Sequence, residues 1–497
     1  IAFALVSAYL AFKTRIVNVV AAANPEENAA PSATLVAKAL WVLLPMAAAM
    51  QLSAITSHLT ANIAAIPLLW ILPLAVYLLT LILAFQSPRL LPRGVLVRLL
   101  VLVLASVAYM MSKTDFSWPI WLMIPFFLLA LFVACLFCHV EACALRPQRS
   151  AEATLFYLLF AAGGALGSFW IGIVSPHLSR FNYDLPLTFF FTALLALAAT
   201  WRVHWSQRLL WSATCIVMLV VTGMVRIAYH RKTMVAVRNF YGSLRVTQDQ
   251  SSIPGATLRT LLNGSIQHGT QIFGTDEQRH TPTTYYAEDS GVGLALHFCC
   301  EDRARNIGVV GLGAGTIAAY GRPGDRIRFY EINPADIPIA RNVFRYIRDS
   351  GAQVDIVEGD ARTSLTNEPP QKYDVLVVDA FSGDAIPLHL LTKEALALYR
   401  RHLAPDGIIA FHISNQHVNL GPPIALLAAS AGMQVRRIAN LSNDPRGTFS
   451  STWMLVSDNA AFFTRPEVAT HAVVPESKPG LRVWTDDYSA LLPVMRW

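Results

Sequence analysis

The sequence predicts an α-helical transmembrane bundle followed by an α/β region, in which a small β-domain precedes a Rossmann-like, doubly wound parallel sheet. Three observations support this prediction. Hydrophobic residues make up 54% of the 497 residues and charged residues only 14%, whereas soluble proteins carry about 25% charged residues. The deficit is confined to residues 1–230, which form a series of long apolar runs. Residues 235–290 contain short strand patterns, and residues 291–497 alternate strands with helices, as doubly wound sheets do.

The apolar runs of residues 1–230 predict a multi-pass domain in the lipid bilayer of the cell membrane. A helix needs about 20 apolar residues to cross the hydrocarbon core. A partial span is expected at Ile1–Phe12, and full spans are expected at Leu35–Ile55, Ile63–Phe85, Val95–Met111, Trp118–Cys138, Thr154–Val174, Leu185–Thr200 and Leu209–Val225. Gly163 and Gly167 form a small-xxx-small pair that predicts close helix packing.

The net charge of +7 does not indicate nucleic-acid binding. Most of the basic residues in the first half flank the apolar runs, where they are expected to lie at the membrane surface. The second half shows no basic stripe interleaved with aromatic residues, which is the pattern expected of a nucleic-acid interface. We therefore expect no nucleic-acid partner.

One helix face in the membrane half carries the residue types of a metal site. Cys135, Cys138, His139 and Cys143 follow one another at helical spacing, and Cys-x-x-Cys-His is also a haem attachment pattern. The run is embedded in an apolar helix, where free cysteine behaves as a small hydrophobic residue. We therefore predict no metal ligands in this chain.

The small β-domain is predicted from two strand signals. Arg238–Thr247 alternates like a single strand, and Thr257–Gln271 resembles a hairpin with Asn263-Gly264 at its turn. A helix is expected at Gly291–Phe298. Five strands of the following sheet are expected at Ile307–Val310, Ile327–Tyr330, Val354–Val357, Tyr373–Val378 and Ile408–His412.

Three acids and a glycine-rich turn fall where the predicted strands end. Ligands of open α/β sheets bind outside the carboxyl ends of the strands. The first strand ends in Gly311-Leu312-Gly313-Ala314-Gly315, before a helix expected from Thr316, and the next three strands end at Glu331, Asp360 and Asp379. Glu331 could accept both ribose hydroxyls of a nucleoside, and Asp360 could accept its adenine amino group. Alternatively, Glu331 and Asp360 cap the helices that follow them.

The motifs between Arg238 and Ser414 resemble those of spermidine synthases, the polyamine aminopropyltransferases, and of their membrane-fused relatives of the major facilitator/spermidine synthase type. Leu262–Gln267 is similar to the Leu-Asp-Gly-x-x-Gln turn of that family, and Tyr286-Ala287-Glu288 is similar to its Tyr-x-Glu motif. Glu331-Ile332-Asn333 is similar to Glu-Ile-Asp, and Gly359-Asp360-Ala361 to Gly-Asp-Gly. Asp379 stands where the family has its catalytic aspartate.

The resemblance implies a methyltransferase-type Rossmann-like fold and aminopropyl transfer from decarboxylated S-adenosylmethionine to a putrescine-like amine. It assigns catalysis to Asp379, Asp384 and Tyr286. It assigns cofactor binding to Gln267, Gly311, Gly313, Gly315, Glu331, Asp360 and Ala361. Self-association is left open.

The chain also departs from the family, and these departures keep other functions open. Ala314 occupies the position at which the family carries an acid for the free amine of the cofactor, so S-adenosylmethionine itself is less disfavoured. One alternative is therefore an S-adenosylmethionine-dependent methyltransferase-like enzyme. Another is a transporter or sensor whose soluble domain binds a polyamine or nucleoside without chemistry.

Two arguments give conflicting predictions for the side of the membrane on which the α/β region lies. Adenosyl cofactors and polyamine precursors are expected in the cytosol, which favours a cytoplasmic domain. The arginine-rich loops fall on the opposite face if eight spans are counted, and the positive-inside rule then places the domain outside. Because one miscounted span reverses the second argument, and Leu185–Thr200 is short, we expect a cytoplasmic domain.

Overall fold

The computed structural model describes residues 31–62, 68–86, 92–111, 119–201, 204–264, 266–381, 386–415, 418–441 and 447–496. The predicted partial span Ile1–Phe12 and the first residues of the second predicted full span lie outside these ranges, as does Asp384.

Seven apolar helices form the first half of the described chain. They are α1 (Leu35–Asn62), α2 (Leu68–Gln86), α3 (Arg93–Met111), α4 (Ile120–Ala144), α5 (Ser150–Leu178), α6 (Asp184–Thr200) and α7 (Trp205–His230). Six of these described helices are long and apolar enough to cross a membrane, and α6, with 17 residues, is shorter. Each of the seven overlaps one of the predicted full spans.

Helix α5 packs closely against α1 through two glycines. A Cβ atom added to Gly163 would lie 2.2 Å from the carbonyl oxygen of Val42, and one added to Gly167 would lie 2.3 Å from that of Met46. Only a hydrogen atom fits at either place. The predicted small-xxx-small contact is therefore confirmed, and its function is packing.

The small β-domain is a four-stranded antiparallel sheet in the order β1-β2-β3-β4. Its strands are β1 (Thr233–Asn239), β2 (Gly242–Gln250), β3 (Thr257–Asn263) and β4 (Ile266–Phe273). The predicted hairpin is confirmed. The prediction of one strand over Arg238–Thr247 is wrong, because the chain turns at Phe240-Tyr241, where the Asn239 side chain accepts a 3.0 Å hydrogen bond from the Tyr241 amide.

The main sheet has eight strands in the order β12-β10-β11-β9-β8-β5-β6-β7. They are β5 (Asn306–Val310), β6 (Arg326–Glu331), β7 (Gln353–Glu358), β8 (Tyr373–Val378), β9 (Leu403–His412), β10 (Gln434–Asn440), β11 (Ser451–Ser457) and β12 (Ala472–Val473). Strands β5 to β9 run parallel and confirm the five predicted strands, whereas β10 to β12 add an antiparallel extension. The chain order reverses at β5, and ligands of open α/β sheets bind outside the carboxyl ends of the strands at such a point.

Short helices cover the main sheet and connect its strands. They are α8 (Asp276–His280), α9 (Gly291–Phe298), α10 (Asp336–Asn342), α11 (Tyr346–Asp349), α12 (Ala361–Asn367), α13 (Lys393–His402), α14 (Gly421–Ser430), α15 (Ala460–Thr464) and α16 (Pro466–Ala469). The helix predicted at Gly291–Phe298 is confirmed as α9. The helix predicted from Thr316, after the glycine-rich turn, is a short 3₁₀ helix, Thr316–Tyr320.

A buried ion pair joins the helical half to the small β-domain. Asp184 begins α6 and Arg238 lies on β1, and their side chains are 3% and 9% exposed. The Arg238 guanidinium donates to Asp184 Oδ1 at 3.3 Å, and the Ser175 hydroxyl donates to the same carboxylate. Helix α6 therefore begins beside the small β-domain, on the same side as the end of α7.

Candidate active site

The glycine-rich turn after β5 fits closely between two neighbouring segments. Gly311 and Gly313 have φ angles of +100° and +53°, which residues other than glycine rarely adopt. A Cβ at Gly311 would lie 2.5 Å from the carbonyl oxygen of Asp379, and one at Gly313 would lie 2.7 Å from that of His268. The turn therefore packs directly against Asp379, after β8, and against His268 of β4, and only glycine fits at these two positions.

Glu331 links this turn to the end of β6. Its Oε2 accepts a 3.0 Å hydrogen bond from the Leu312 amide, and its Oε1 accepts a 2.7 Å bond from the Asn333 amide. Burial raises the pKa of the carboxyl, although these amides oppose the shift. The alternative in which Glu331 caps the next helix is wrong, because the cap residue of α10 is Ala335.

Asp360 caps α12, as the structural alternative predicted. Its Oδ1 accepts from the amide of Thr363 at 2.7 Å and from the hydroxyl of that residue at 2.8 Å, while Oδ2 lies 3.4 Å from His389 Nε2. Burial would raise the pKa of Asp360, but the Thr363 hydrogen bonds and His389 bring it below its usual value. Ala361 is buried at the start of the same helix, and the Gly359 amide donates to the Glu331 carbonyl at 2.8 Å.

Asp379 lies at the centre of a buried hydrogen-bonded group. His412 Nδ1, at the end of β9, is 2.7 Å from Asp379 Oδ1, and the Tyr286 hydroxyl donates to Asp379 Oδ2. The Asp379 and His412 side chains are each only 3% exposed. Both carboxylate oxygens are thus engaged, and the predicted pair of Tyr286 and Asp379 is in direct contact.

Aromatic rings hold His412 in place. Its ring stacks between those of Tyr285 and Trp453, with centroid distances of 4.3 and 4.5 Å, and Phe381 packs on its edge at 5.0 Å. The Trp453 indole donates to the Tyr285 carbonyl at 3.1 Å. Burial, with the nearby Asp379 carboxylate, raises the pKa of Tyr286 well above its ordinary value, so this hydroxyl keeps its proton and remains a donor.

His268, on β4 of the small β-domain, lies near the hydrogen-bonded group around Asp379. Burial lowers the pKa of its imidazole to about 4, and the ring lies within electrostatic range of Asp379 and His412. His268 is therefore neutral at physiological pH. The neighbouring Gln267, a predicted cofactor ligand, is partly buried on the same strand, opposite Leu262 of β3.

Asp336 is a further buried acid next to the glycine-rich turn. It begins α10, is 5% exposed, and its Oδ1 has no hydrogen-bond partner in the described ranges. Burial and the nearby Glu331 carboxyl raise its pKa well above the usual value, and the Gly313 amide opposes this shift. By contrast, Ala314 packs tightly against Gly269 in an apolar cluster between the turn and the small β-domain.

Sequence reasoning missed His412, His268, Asp336 and Trp453. His412 closes the fifth predicted strand, so the rule that placed Asp379 at a strand end could have found it. His268 directly follows the Leu262–Gln267 motif. Asp336 and Trp453 carry no comparable signal, because their positions depend on how α10 and the antiparallel strand β11 fold back onto the site.

No protein-family model matches the chain. The polyamine aminopropyltransferase of Vibrio vulnificus (strain CMCP6) is 32% identical over 106 residues, which are 20% of this chain and 35% of that protein. The probable polyamine aminopropyl transferase of Bifidobacterium longum (strain NCC 2705) is 26% identical over 159 residues, or 31% of this chain and 33% of that protein. The chain is spermidine-synthase-like in sequence.

The similarity extends to one methyltransferase and to solved structures. The eEF1A lysine and N-terminal methyltransferase of Mus musculus is 30% identical over 148 residues, 27% of this chain and 21% of that protein. The structure of a probable spermidine synthase from Corynebacterium glutamicum ATCC 13032 is 19% identical, with a TM-score of 0.41 over 52% of this chain and 97% of that one. The spermidine-synthase-like chain spans about a third or less of the length of these curated relatives.

Proposed function

We propose that the α/β region is a membrane-anchored aminopropyltransferase, which moves the aminopropyl group of decarboxylated S-adenosylmethionine to an amine. The observation that carries the proposal is the Tyr286–Asp379–His412 group at the carboxyl end of the sheet, directly against Gly311 of the glycine-rich turn. The names of the two bacterial relatives support the same reaction.

The adenosyl end of the donor is assigned to the turn and to the two acids beyond it. Gly311, Gly313 and Gly315 allow close backbone approach, which suits a ligand bound at the switch point of the sheet. Glu331 would accept the ribose hydroxyls with the lone pairs that its two amide bonds leave free. Asp360, through the oxygen that does not cap α12, would accept from the adenine amino group, with Ala361 and Gln267 beside the ligand.

The reacting end is assigned to the group around Asp379. An alkylammonium has a pKa of about 10.4, so an amine must lose a proton before or during attack. Because both oxygens of Asp379 are engaged, we assign that proton to His412 Nε2, with Asp379 orienting the ring and stabilising its positive charge, and with Tyr286 holding Asp379. This revises the assignment of Asp379 as the base, and the role predicted for Asp384 stays a prediction.

The test is turnover by the full chain in lipid nanodiscs. Decarboxylated S-adenosylmethionine and putrescine should yield methylthioadenosine and a longer polyamine, and Asp379→Asn should remove this activity. Asp355→Asn is the matched control, since Asp355 pairs with Arg326 on the outer strands of the same sheet. Active wild type with an equally active Asp379→Asn variant, or inactive wild type with every amine tested, would refute the proposal.

A second candidate is methyl transfer from S-adenosylmethionine. The similarity to the mouse methyltransferase favours it, and the same imidazole could take a proton from a methyl acceptor. The nanodisc assay separates the candidates, because methyl transfer releases S-adenosylhomocysteine and aminopropyl transfer releases methylthioadenosine.

We further propose that the apolar helices anchor the chain in the cell membrane with the α/β region in the cytoplasm. Six described helices have the length and composition of spans. The Asp184–Arg238 pair supports counting α6 as a seventh crossing, because it begins on the side of the small β-domain and α7 returns to that side. The cytoplasmic placement rests on the cytosolic origin of the donor.

A further inference from the structure

Strand β1 contacts the apolar helices at both of its ends. At its start, the Thr233 hydroxyl donates to the Tyr229 carbonyl of α7 at 2.5 Å, and near its end the Arg238 guanidinium donates to Asp184 Oδ1 of α6 at 3.3 Å. The strand therefore lies along the ends of these helices. Because successive side chains of a strand point to opposite faces, the next residue, Asn239, faces away from α6.

The Asn239 side chain is hydrogen-bonded to the loop that follows β6. Its Oδ1 accepts a 3.0 Å bond from the Tyr241 amide, and its Nδ2 donates to Asn333 Oδ1 at 2.7 Å. Asn333 Oδ1 also accepts a 3.1 Å bond from the Ala335 amide. Each side-chain amide has its donors on nitrogen and its acceptor on oxygen, so neither side chain can flip without losing its bond to a backbone amide.

Asn333 in turn contacts Glu331, the acid assigned to the ribose. The Asn333 amide donates to Glu331 Oε1 at 2.7 Å, and the Asn333 carbonyl accepts a 3.0 Å bond from the Asp336 amide. Asn333 and Glu331 are 6% and 8% exposed. A chain of hydrogen bonds therefore runs from Asn239, in the small β-domain, to a buried carboxyl at the end of β6.

We propose that Asn239 is a positioning residue for the adenosyl donor, an inference that rests on the proposed function. It holds the Asn333 side chain, and the Asn333 amide holds Glu331 in the orientation that accepts the ribose hydroxyls. The ribose is remote from the atoms that react beside Asp379. An interaction that binds the ground state and the transition state equally changes KM and leaves kcat unchanged, so Asn239 acts on donor affinity and not on the transfer step.

The same strand makes donor affinity depend on the apolar helices. Arg238 directly precedes Asn239, and its buried ion pair with Asp184 fixes the end of β1 against α6. Without that pair the end of β1 is released, and the Asn239 side chain is released with it. Substitutions that act through one shared element have non-additive effects. Loss of the ion pair and loss of the Asn239 side chain should therefore weaken donor binding by the same route.

The test measures the affinities of methylthioadenosine and S-adenosylhomocysteine by calorimetry, using the full chain in nanodiscs. Asn239→Ser, which is too short to reach Asn333, should weaken both ligands by about 10-fold and raise the KM of the donor equally, with kcat within about twofold of the wild type. Asn239→Asp keeps an acceptor for the Tyr241 amide but has no donor, and should show the same loss. Asn306→Ser is the matched control, because Asn306 Nδ2 donates to the Gln371 carbonyl at 2.6 Å at the opposite end of the main sheet. It should bind both ligands as the wild type does.

Asp184→Asn, alone and combined with Asn239→Ser, tests the dependence on the helices. The single variant should weaken methylthioadenosine, and the double variant should bind no more weakly than the weaker of the two single variants. Asp184→Glu, which keeps the charge, should recover part of the affinity. Additive losses, or wild-type affinity in Asp184→Asn, would overturn the link between the helices and the donor site.

Binding also separates failure of this inference from failure of the proposed function. Both ligands contain adenosine, so their affinities report on the ribose whichever group the protein transfers. Equal losses of both ligands in the Asn239 variants, in a wild type that transfers no aminopropyl group, would refute the proposed function and support the role of Asn239. Wild-type affinity in these variants, or a loss confined to kcat, would overturn that role, and a wild type that binds neither ligand would overturn both.

Discussion

His412 Nδ1 lies 2.7 Å from Asp379 Oδ1, with the imidazole stacked between Tyr285 and Trp453. The ring can neither rotate away from the carboxylate nor exchange its nitrogens without disturbing both aromatic neighbours. A carboxylate held in this way fixes the tautomer of the imidazole, as the aspartate does in hydrolase triads. In the proposed mechanism, Asp379 therefore acts on the acceptor through His412.

Replacing Asp379 by asparagine should lower kcat by about 10²–10⁴-fold, because the amide would hold the imidazole in the wrong tautomer and would not stabilise its charge. His412→Gln should cause a loss of similar size, because a glutamine side chain cannot take the proton from the amine. Steady-state kinetics measures both effects. A His412→Gln variant with a kcat close to that of the wild type would exclude this imidazole as the proton acceptor.

Replacing Glu331 by alanine should weaken methylthioadenosine binding by about 1.5–3 kcal/mol, the range for a hydrogen bond to a charged group. The variant loses the acceptor assigned to the ribose and the bond to the Leu312 amide of the turn. Calorimetry on the full chain gives the affinities. Glu358→Ala is the control, since Glu358 pairs with Glu331 in the sheet register but is exposed. Equal affinities of the two variants would contradict the assignment.

Replacing Asp336 by asparagine should stabilise the ligand-free protein at neutral pH by about 1–3 kcal/mol, because asparagine is neutral in both states whereas the unfolded aspartate is ionised and the buried one is not. Burial raises the folded-state pKa of Asp336 above its unfolded value of 3.8, so the unfolded chain loses its proton first and wild-type stability falls as the pH rises above about 4. Below the unfolded pKa both side chains are neutral, and the difference should vanish. Thermal unfolding at pH 3 and pH 7 measures this effect, and a constant difference would contradict it.

A cysteine introduced at Ser477, in an exposed segment after β12, should react with a membrane-impermeant maleimide only after cells are permeabilised. The reason is the proposed cytoplasmic position of the α/β region. With α6 counted as a full crossing, the opposite face carries the loop with Arg146 and Arg149 and the start of α7 with Arg208. The positive-inside rule assigns this arrangement to an external domain. Labelling of intact cells would establish that external position.

The helices and strands with a clear hydrophobic pattern were predictable from the sequence. The seven described apolar helices follow from hydropathy, and strands β5 to β9 follow from short buried runs, the first four of which are followed by glycine or an acid. The single strand predicted over Arg238–Thr247 failed because alternation continues through a tight turn, where only Asn239 and Gly242 indicate that the chain reverses. Strand periodicity does not distinguish a long strand from two short strands with a tight connection.

Individual site residues were predictable from the sequence, but the hydrogen bonds between them were not. The rule of strand ends placed Glu331 and Asp379 at one crevice, and the structure brings both against the glycine-rich turn. That both oxygens of Asp379 are engaged depends on contacts between residues separated by 93 and 33 positions, which local patterns do not encode. The burial of Asp336 depends in the same way on tertiary packing.

The Asp184–Arg238 pair makes the two halves of the chain depend on each other during biosynthesis. Asp184 emerges before Arg238, and until β1 folds against the helices each charge lacks the partner that offsets its burial. A chain cut at the start of the small β-domain would expose Arg238 permanently and lose this anchor. The α/β region is therefore best produced and studied together with the apolar helices.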